Sequence, residues 1–287
     1  MVSAQTDPKA PPRQHDHIVD RLIAERAPKL AGSRAWPLVR PTLYALLGYA
    51  KARRMADTIF PMSGQAALDH VSNLLALEVH AEGLERIPRT GALITVSNHP
   101  TGIADGVAVY DALKTVRADL IFYANADAHR VVPGFGDTLI PVELSAAKRS
   151  REATRLTLQM TNVALEAGKA LVTFPSGRLA RRRNGVLTEE PWAPTCVSLA
   201  RKFKAPIVPI HVAGPWSTLF HLFDRFSGEL RDITLFHELL NKRGQKFRLI
   251  VGEPIDAETI PGDPAEAVKA LTRYVEFELP EGRLQFP

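Results

Sequence analysis

The feature that most constrains this chain is a series of short apolar, β-rich segments separated by stretches of helical periodicity. "GALITVSN" (91–98), "ADLIFYAN" (118–125), "KALVTFPSG" (169–177) and "APIVPIHVAG" (205–214) are the apolar runs. Runs of this kind, bounded by Gly, Pro and Asn, read as strands buried on both faces. Between them "GIADGVAVYDALKTV" (102–116), "AAKRSREATRLTLQMTNVALEAG" (146–168) and "APTCVSLARKFK" (193–204) repeat apolar residues at helical spacing. Strands that alternate with helices build a sheet covered on both sides. The expected fold is therefore α/β, a mixed, mostly parallel sheet flanked by helices. "ALEVHAEG" (76–83) and "QKFRLIVGEPI" (245–255) add two more strands, and "DPAEAVKALTRYVEFEL" (263–279) a closing helix. That helix is N-capped by Asp263 with Pro264 at its first position, and the helix before 169 ends on Gly168 as its C-cap.

Ahead of the sheet the pattern changes, and three regions follow from it. Residues 1–17 form a polar, proline-bearing tail, expected to be disordered. Residues 18–62 are an N-terminal helical appendage, and residues 63–287 are the α/β domain. "FPMSG" (60–64) punctuates the second boundary. The apolar stretch "PTLYALLGYA" (41–50) is too short to span a bilayer, which takes about 20 residues. Its surroundings, with Trp36, two tyrosines and the basic "KARR" (51–54), suit either an interfacial helix or one packed on the core. The tail has no apolar segment of the secretory type. Cys196 is the only cysteine, so no intramolecular disulfide forms and a reducing compartment fits best. Together these place the chain in the cytoplasm, peripheral at the cytoplasmic face of a membrane.

The net charge of +5 favours anionic partners without choosing among them. Its clusters, "RLARRR" (178–183), "KRSR" (148–151), "RKFK" (201–204) and "KARR", are either solvated faces or anion ligands. Two of the loops at strand ends carry chemistry. "SNHPTGIADG" (97–106) leads a strand into a helix, so His99 falls at the strand's end, where α/β proteins build sites. Histidine abstracts a proton near neutral pH when a partner holds its other ring nitrogen, and Asp105 is the local carboxylate. Pro100 stiffens the backbone between them and Gly102 relaxes it. The alternative is a plain Asn-His-Pro turn with Asp105 stabilising the first turn of the next helix. The second loop, "LVTFPSGRLARRR" (171–183), sets Gly177 and Arg178 at another strand end, where guanidinium forks match phosphates and carboxylates. A base in one loop and anion ligands in the other look like two halves of one site.

Several classes lose support on motif grounds. "TFPSGR" lacks the first glycine of the G-x-S-x-G elbow that a Ser176 nucleophile would need. There is no H-E-x-x-H for zinc, and Asp127 with His129 in "NADAHR" lacks the i, i+4 spacing. Neither a P-loop nor a strand-borne G-x-G-x-x-G is present. Nucleic-acid binding has only net charge behind it, so no nucleic-acid partner is expected.

On these residues the chain resembles the glycerolipid acyltransferases, the superfamily of 1-acylglycerol-3-phosphate acyltransferase. The resemblance spans roughly 78–255 and rests on four ordered blocks: "SNHPTGIADG", "FYANADAHRVVPGFGDTLIPVE" (122–143), "LVTFPSGR" (171–178) and "APIVPIHVAG". It implies a fatty acyl transfer from acyl-CoA or acyl carrier protein to a lysophospholipid-like acceptor such as lysophosphatidate. His99 would be the general base, with Asp105 orienting it. Asn98, Gly102, Ser176, Gly177 and Arg178 would hold substrate, helped by Lys148, Arg149 and Arg181 to Arg183. The acyl donor is a co-substrate, and no metal or bound cofactor is implied. The implied partners are a lipid acceptor, the acyl carrier and an anionic membrane surface.

Three departures qualify the resemblance. Five residues separate His99 from Asp105 where the family commonly has four, a longer form similar to a hemolysin-like or ornithine-lipid-type branch. Ser176 stands where the third block usually has glutamate, and Glu143 lies about where an arginine often follows the second. The alternatives are a thioesterase or hydrolase, or a lipid-binding peripheral membrane protein that keeps the fold without turnover.

Overall fold

A computed structural model describes residues 16–144, 149–183 and 186–287 of the chain. Five helices precede the sheet: α1 (Ile18–Arg26), α2 (Pro28–Ala31), α3 (Trp36–Leu46), α4 (Tyr49–Ile59) and α5 (Gly64–Leu75). The α/β succession then runs β1 (Glu78–Glu82), β2 (Leu93–Ser97), α6 (Ile103–Leu113), β3 (Leu120–Asn125), α7 (Asp127–Val131), β4 (Leu139–Val142), α8 (Arg151–Glu166) and β5 (Ala170–Thr173). A small ribbon, β6 (Arg181–Arg183) with β7 (Val186–Thr188), leads to α9 (Thr195–Phe203) and β8 (Ile207–Ala213). Three short helices, α10 (Thr218–Asp224), α11 (Gly228–Asp232) and α12 (Leu235–Leu240), precede β9 (Lys246–Val251) and α13 (Pro264–Arg273).

Seven strands form one sheet in the order β1-β9-β8-β2-β5-β3-β4. Every pairing in it is parallel except β8 with β9. The mixed, mostly parallel sheet expected from the alternation is therefore present. All five residues of β2 are buried, as a central strand covered on both faces must be. The chain leaving β2 crosses through α6 to β3 on one side; the chain leaving β5 crosses through α9 to β8 on the other. Right-handed crossovers in opposite directions put α6 and α9 on opposite faces. Two cores result. One joins α6 to the N-terminal helices, with Val107, Tyr110, Leu22 and Leu47 buried together. The other gathers Leu165 of α8, Val197 of α9 and Leu271 of α13.

Local signals account for several ends. Gly168 has φ +76° after α8, and the Asp263 side chain accepts from the N–H groups of Ala265 and Glu266 at 2.8 and 3.0 Å. The "FPMSG" stretch is packed: Ser63 bridges to Gly134, and a Cβ on Gly64 would collide with Thr138 and Asp137. The cluster "RKFK" supplies a structural tie, because Arg201 donates to the carbonyls of Ala257, Ile260 and Gly262. Residues 1–15 of the expected tail lie outside the described residues.

Candidate active site

A parallel sheet opens a crevice between neighbouring strands whose connections leave in opposite directions. Here those strands are β2 and β5, and their C-terminal ends carry His99 and Phe174. The two rings stack with centroids 4.5 Å apart.

Asp105 sits in the first turn of α6, fully buried. Burial of a carboxylate demands hydrogen bonds, and this one accepts four. Thr101 donates from its backbone N–H at 2.8 Å and its hydroxyl at 2.5 Å, and Gly102 from its N–H at 2.9 Å. The fourth donor is His99 Nδ1 at 2.9 Å. Asp105 thus does two things at once: it caps the helix start and holds the histidine. Gly102 makes this possible at φ +92°, and a Cβ there would strike Leu179 at 2.8 Å. With Nδ1–H directed at Asp105, the basic lone pair of the imidazole lies on Nε2. The side chain keeps 15% of its surface exposed, enough for the ring's outer edge to meet a ligand.

Segments from the other strands are tied to this loop or to one another. From β8, Val212 exchanges two hydrogen bonds with the Asn98 side chain, at 2.9 and 2.7 Å, which fixes Asn98 as a strut between β2 and β8. Following β5, the Ala180 N–H donates to the His99 carbonyl at 3.0 Å. The turn at Gly177, with φ +63°, lies against Leu144, just past β4. Ser176 donates its hydroxyl to the Arg178 carbonyl at 3.0 Å, so it serves its own turn.

The cationic residues divide. Arg178 is exposed beside Gly177. Arg181, in β6, lies 3.8 Å from Glu190, and the Arg182 guanidinium stands 5.5 Å from the Trp216 ring centroid. Arg149 lines a shallow groove on the outer side of α8 with Arg151 and Arg155, a groove that includes no residue of the His99 loop. Lys148 lies outside the described residues, as does the side chain of Arg183. Asp127, weighed above with His129, is ion-paired to Arg26 and Arg130.

One site residue has no counterpart among the expectations. Glu189, following β7, accepts the backbone N–H of His99 on one oxygen and the indole N–H of Trp192 on the other, the latter at 2.6 Å. Burial raises its carboxyl from the ordinary range to about 7, against the opposing pull of those hydrogen bonds. The only sequence signal for it is Trp192, an aromatic anchor three residues on in a polar loop.

The fold and pair define the class: an α/β protein with a buried Asp–His couple at the switch point of a mostly parallel sheet. Residues 78–213 match the family model described as Acyltransferase. The lyso-glycine lipid O-acyltransferase of Bacteroides thetaiotaomicron is 26% identical over 215 residues, covering 71% of this chain and 77% of that one. The enzyme of the same name from Phocaeicola vulgatus is 27% identical over 217 residues, with 73% and 74% covered. The crystal structure of the 1-acyl-sn-glycerophosphate acyltransferase of Thermotoga maritima aligns with a TM-score of 0.47 and 17% identity, over 78% of this chain and 82% of that one.

Proposed function

We propose that this chain transfers a fatty acyl group from a thioester, acyl-CoA or acyl carrier protein, to a hydroxyl of a lysolipid. The observation that carries the reading is the geometry of His99: Nδ1 held by a buried, fully hydrogen-bonded Asp105, with Nε2 left as the base. The acceptor O–H gives its proton to Nε2 as the oxygen attacks the thioester carbonyl. The C–S bond then breaks, the thiolate takes the proton back from the imidazolium, and an ester and a free thiol leave. No acyl-enzyme is required, because the thioester is already activated. An oxygen acceptor is supported by the O-acyltransferase relatives. Leu144, Phe174 and Leu179 offer the acyl chain an apolar lining, and exposed Ile103 continues it. Arg178, exposed at the turn after β5, suits an anionic head group.

The same reading places the chain on the cytoplasmic face of an anionic membrane. Among the described residues no helix is long and apolar enough to cross a membrane. Helix α3, however, exposes Leu38, Val39 and Leu46, and Arg40, Lys51, Arg53 and Arg54 are exposed nearby in the sequence. Apolar side chains with a basic flank suit an interfacial helix. Leu38→Glu should weaken co-flotation with anionic vesicles several-fold while leaving far-UV circular dichroism unchanged; unchanged flotation would remove α3 from the contact.

The function itself is tested by thiol release from a panel of acyl-CoA and acyl carrier protein donors, with lysophosphatidate, lysophospholipids and lyso-glycine lipid as acceptors. Acceptor-dependent release that is lost in His99→Ala is the expected result. Release without acceptor would make the chain a thioesterase, and no release with any pair would leave a lipid-binding protein.

A further inference from the structure

We propose that Glu189 is a positioning residue of the transfer reaction, one that holds the His99 peptide from behind and thereby sets the imidazole against Phe174 and Asp105. The proposal rests on the reading of His99 as the base.

Three contacts carry it. The backbone N–H of His99 donates to one carboxyl oxygen of Glu189. The other oxygen is tied to the indole of Trp192, which is itself 5% exposed and part of the core shared by α8, α9 and α13. The carbonyl of His99 accepts from Ala180. Both backbone polar groups of the base are therefore held by the chain segments after β5, and those segments are closed on each other where Ala193 donates to the Pro175 carbonyl at 2.9 Å. Asp105 sets the ring's tautomer and tilt; Glu189 sets the position of the residue that bears the ring. Without an acceptor the His99 N–H would be left unpaired in a largely buried loop, and a peptide in that situation shifts toward a new partner. A displacement near 1 Å at a catalytic group is enough to lower a rate up to a hundredfold.

Charge adds a second consequence. The groups that act electrostatically on Glu189 are His99 itself, which favours its ionised form, and Glu276 in the helical turn after α13, which opposes it. An ionised Glu189 accepts the N–H more strongly than a neutral one. Ionisation of Glu189 near pH 7 therefore tightens the hold on the His99 peptide, and kcat should rise as pH rises through that value.

Two substitutions separate these effects. Glu189→Ala removes both acceptors; kcat should fall about thirtyfold, with KM for donor and acceptor within twofold and the circular dichroism retained. Glu189→Gln keeps an acceptor for His99 and should recover part of kcat, while the rise of kcat near pH 7 that belongs to Glu189 disappears. Unchanged kcat in Glu189→Ala, a loss confined to KM, or an unaltered pH profile near 7 in Glu189→Gln would overturn the proposal. A substrate-free measurement keeps it independent of the acyltransfer reading. In the proton NMR spectrum the His99 ring signal should be displaced by its stacking on Phe174, and Glu189→Ala should move it toward the position of an unstacked histidine. If that signal stays in place the proposal fails, whatever the enzyme turns over. If it moves while no donor and acceptor react, the positioning stands and the reaction assigned to the site falls.

Discussion

His99 lies between two carboxyl groups that reach it in different ways. Asp105 comes from six residues downstream and is satisfied by four donors, three of them within its own turn. Glu189 comes from ninety residues downstream, has two donors, and feels burial strongly enough to hold its proton to about pH 7. A buried charge is tolerable where local backbone supplies hydrogen bonds in number, and costly where tertiary structure supplies few. The near group is a fixed feature of one loop. The far group is a conditional one, ready to respond to pH.

Substitutions sharpen that contrast. The largest effect is expected for His99→Ala, which removes the imidazole of the residue both carboxyls hold: on the proposed mechanism acceptor-dependent thiol release should fall about 10³-fold or more with the fold retained. Loss of folding in that variant would instead make His99 a structural residue. Asp105→Asn should follow, with kcat down about 10²- to 10³-fold, because the amide cannot accept on both sides. The variant would either mispair the Thr101 and Gly102 N–H groups or present the wrong partner to Nδ1. Kinetics equal to wild type would reduce Asp105 to a helix cap.

The third expectation concerns stability. Glu189 holds its proton to about pH 7 in the folded chain and to an ordinary 4.5 in the unfolded one, so between those values the folded state binds more protons. Its contribution to stability is therefore present below pH 4.5 and is lost as pH rises to about 7, by about 3 kcal/mol. In urea unfolding, wild type should lose that much relative to Glu189→Gln between pH 4.5 and 8; a difference that is independent of pH would mean the carboxyl ionises normally. The smallest effect is expected at Arg178→Ala, where KM for the acceptor rises several-fold and kcat holds. Unchanged acceptor kinetics would leave Arg178 a solvated surface residue.

The same contrast explains what was legible in the sequence. The alternation of apolar strands with helices pointed to the α/β class, because strands buried on both faces leave a continuous apolar signature. His99 with Asp105 was legible because the two share one turn, with Gly102 marking the left-handed backbone that closes it. The five-residue spacing needs no separate device: Asp105 reaches back to Thr101, Gly102 and His99 from the first turn of α6. Glu189 was not legible, since Glu190 beside it has the same chemistry yet pairs with Arg181. Nor was the fate of the arginine run, read as a solvated face or an anion pocket, where residues 181–183 form a strand of a two-stranded ribbon. The short helices α10 to α12 gave no clear periodic signal, being five to seven residues long, with their caps supplied partly by distant contacts such as Glu238 on the Phe220 N–H.

By itself the sequence determined the class of fold, the strand-end location of the histidine and the identity of its aspartate partner, because each depends on residues close enough for local geometry to act. Only the tertiary structure decided which strands flank β2, and with them that Phe174 stacks on His99, that Asn98 is a strut and that Glu189 stands behind the histidine. Those choices follow from crossover handedness and from the burial of groups far apart in the chain, and neither is written in any one segment.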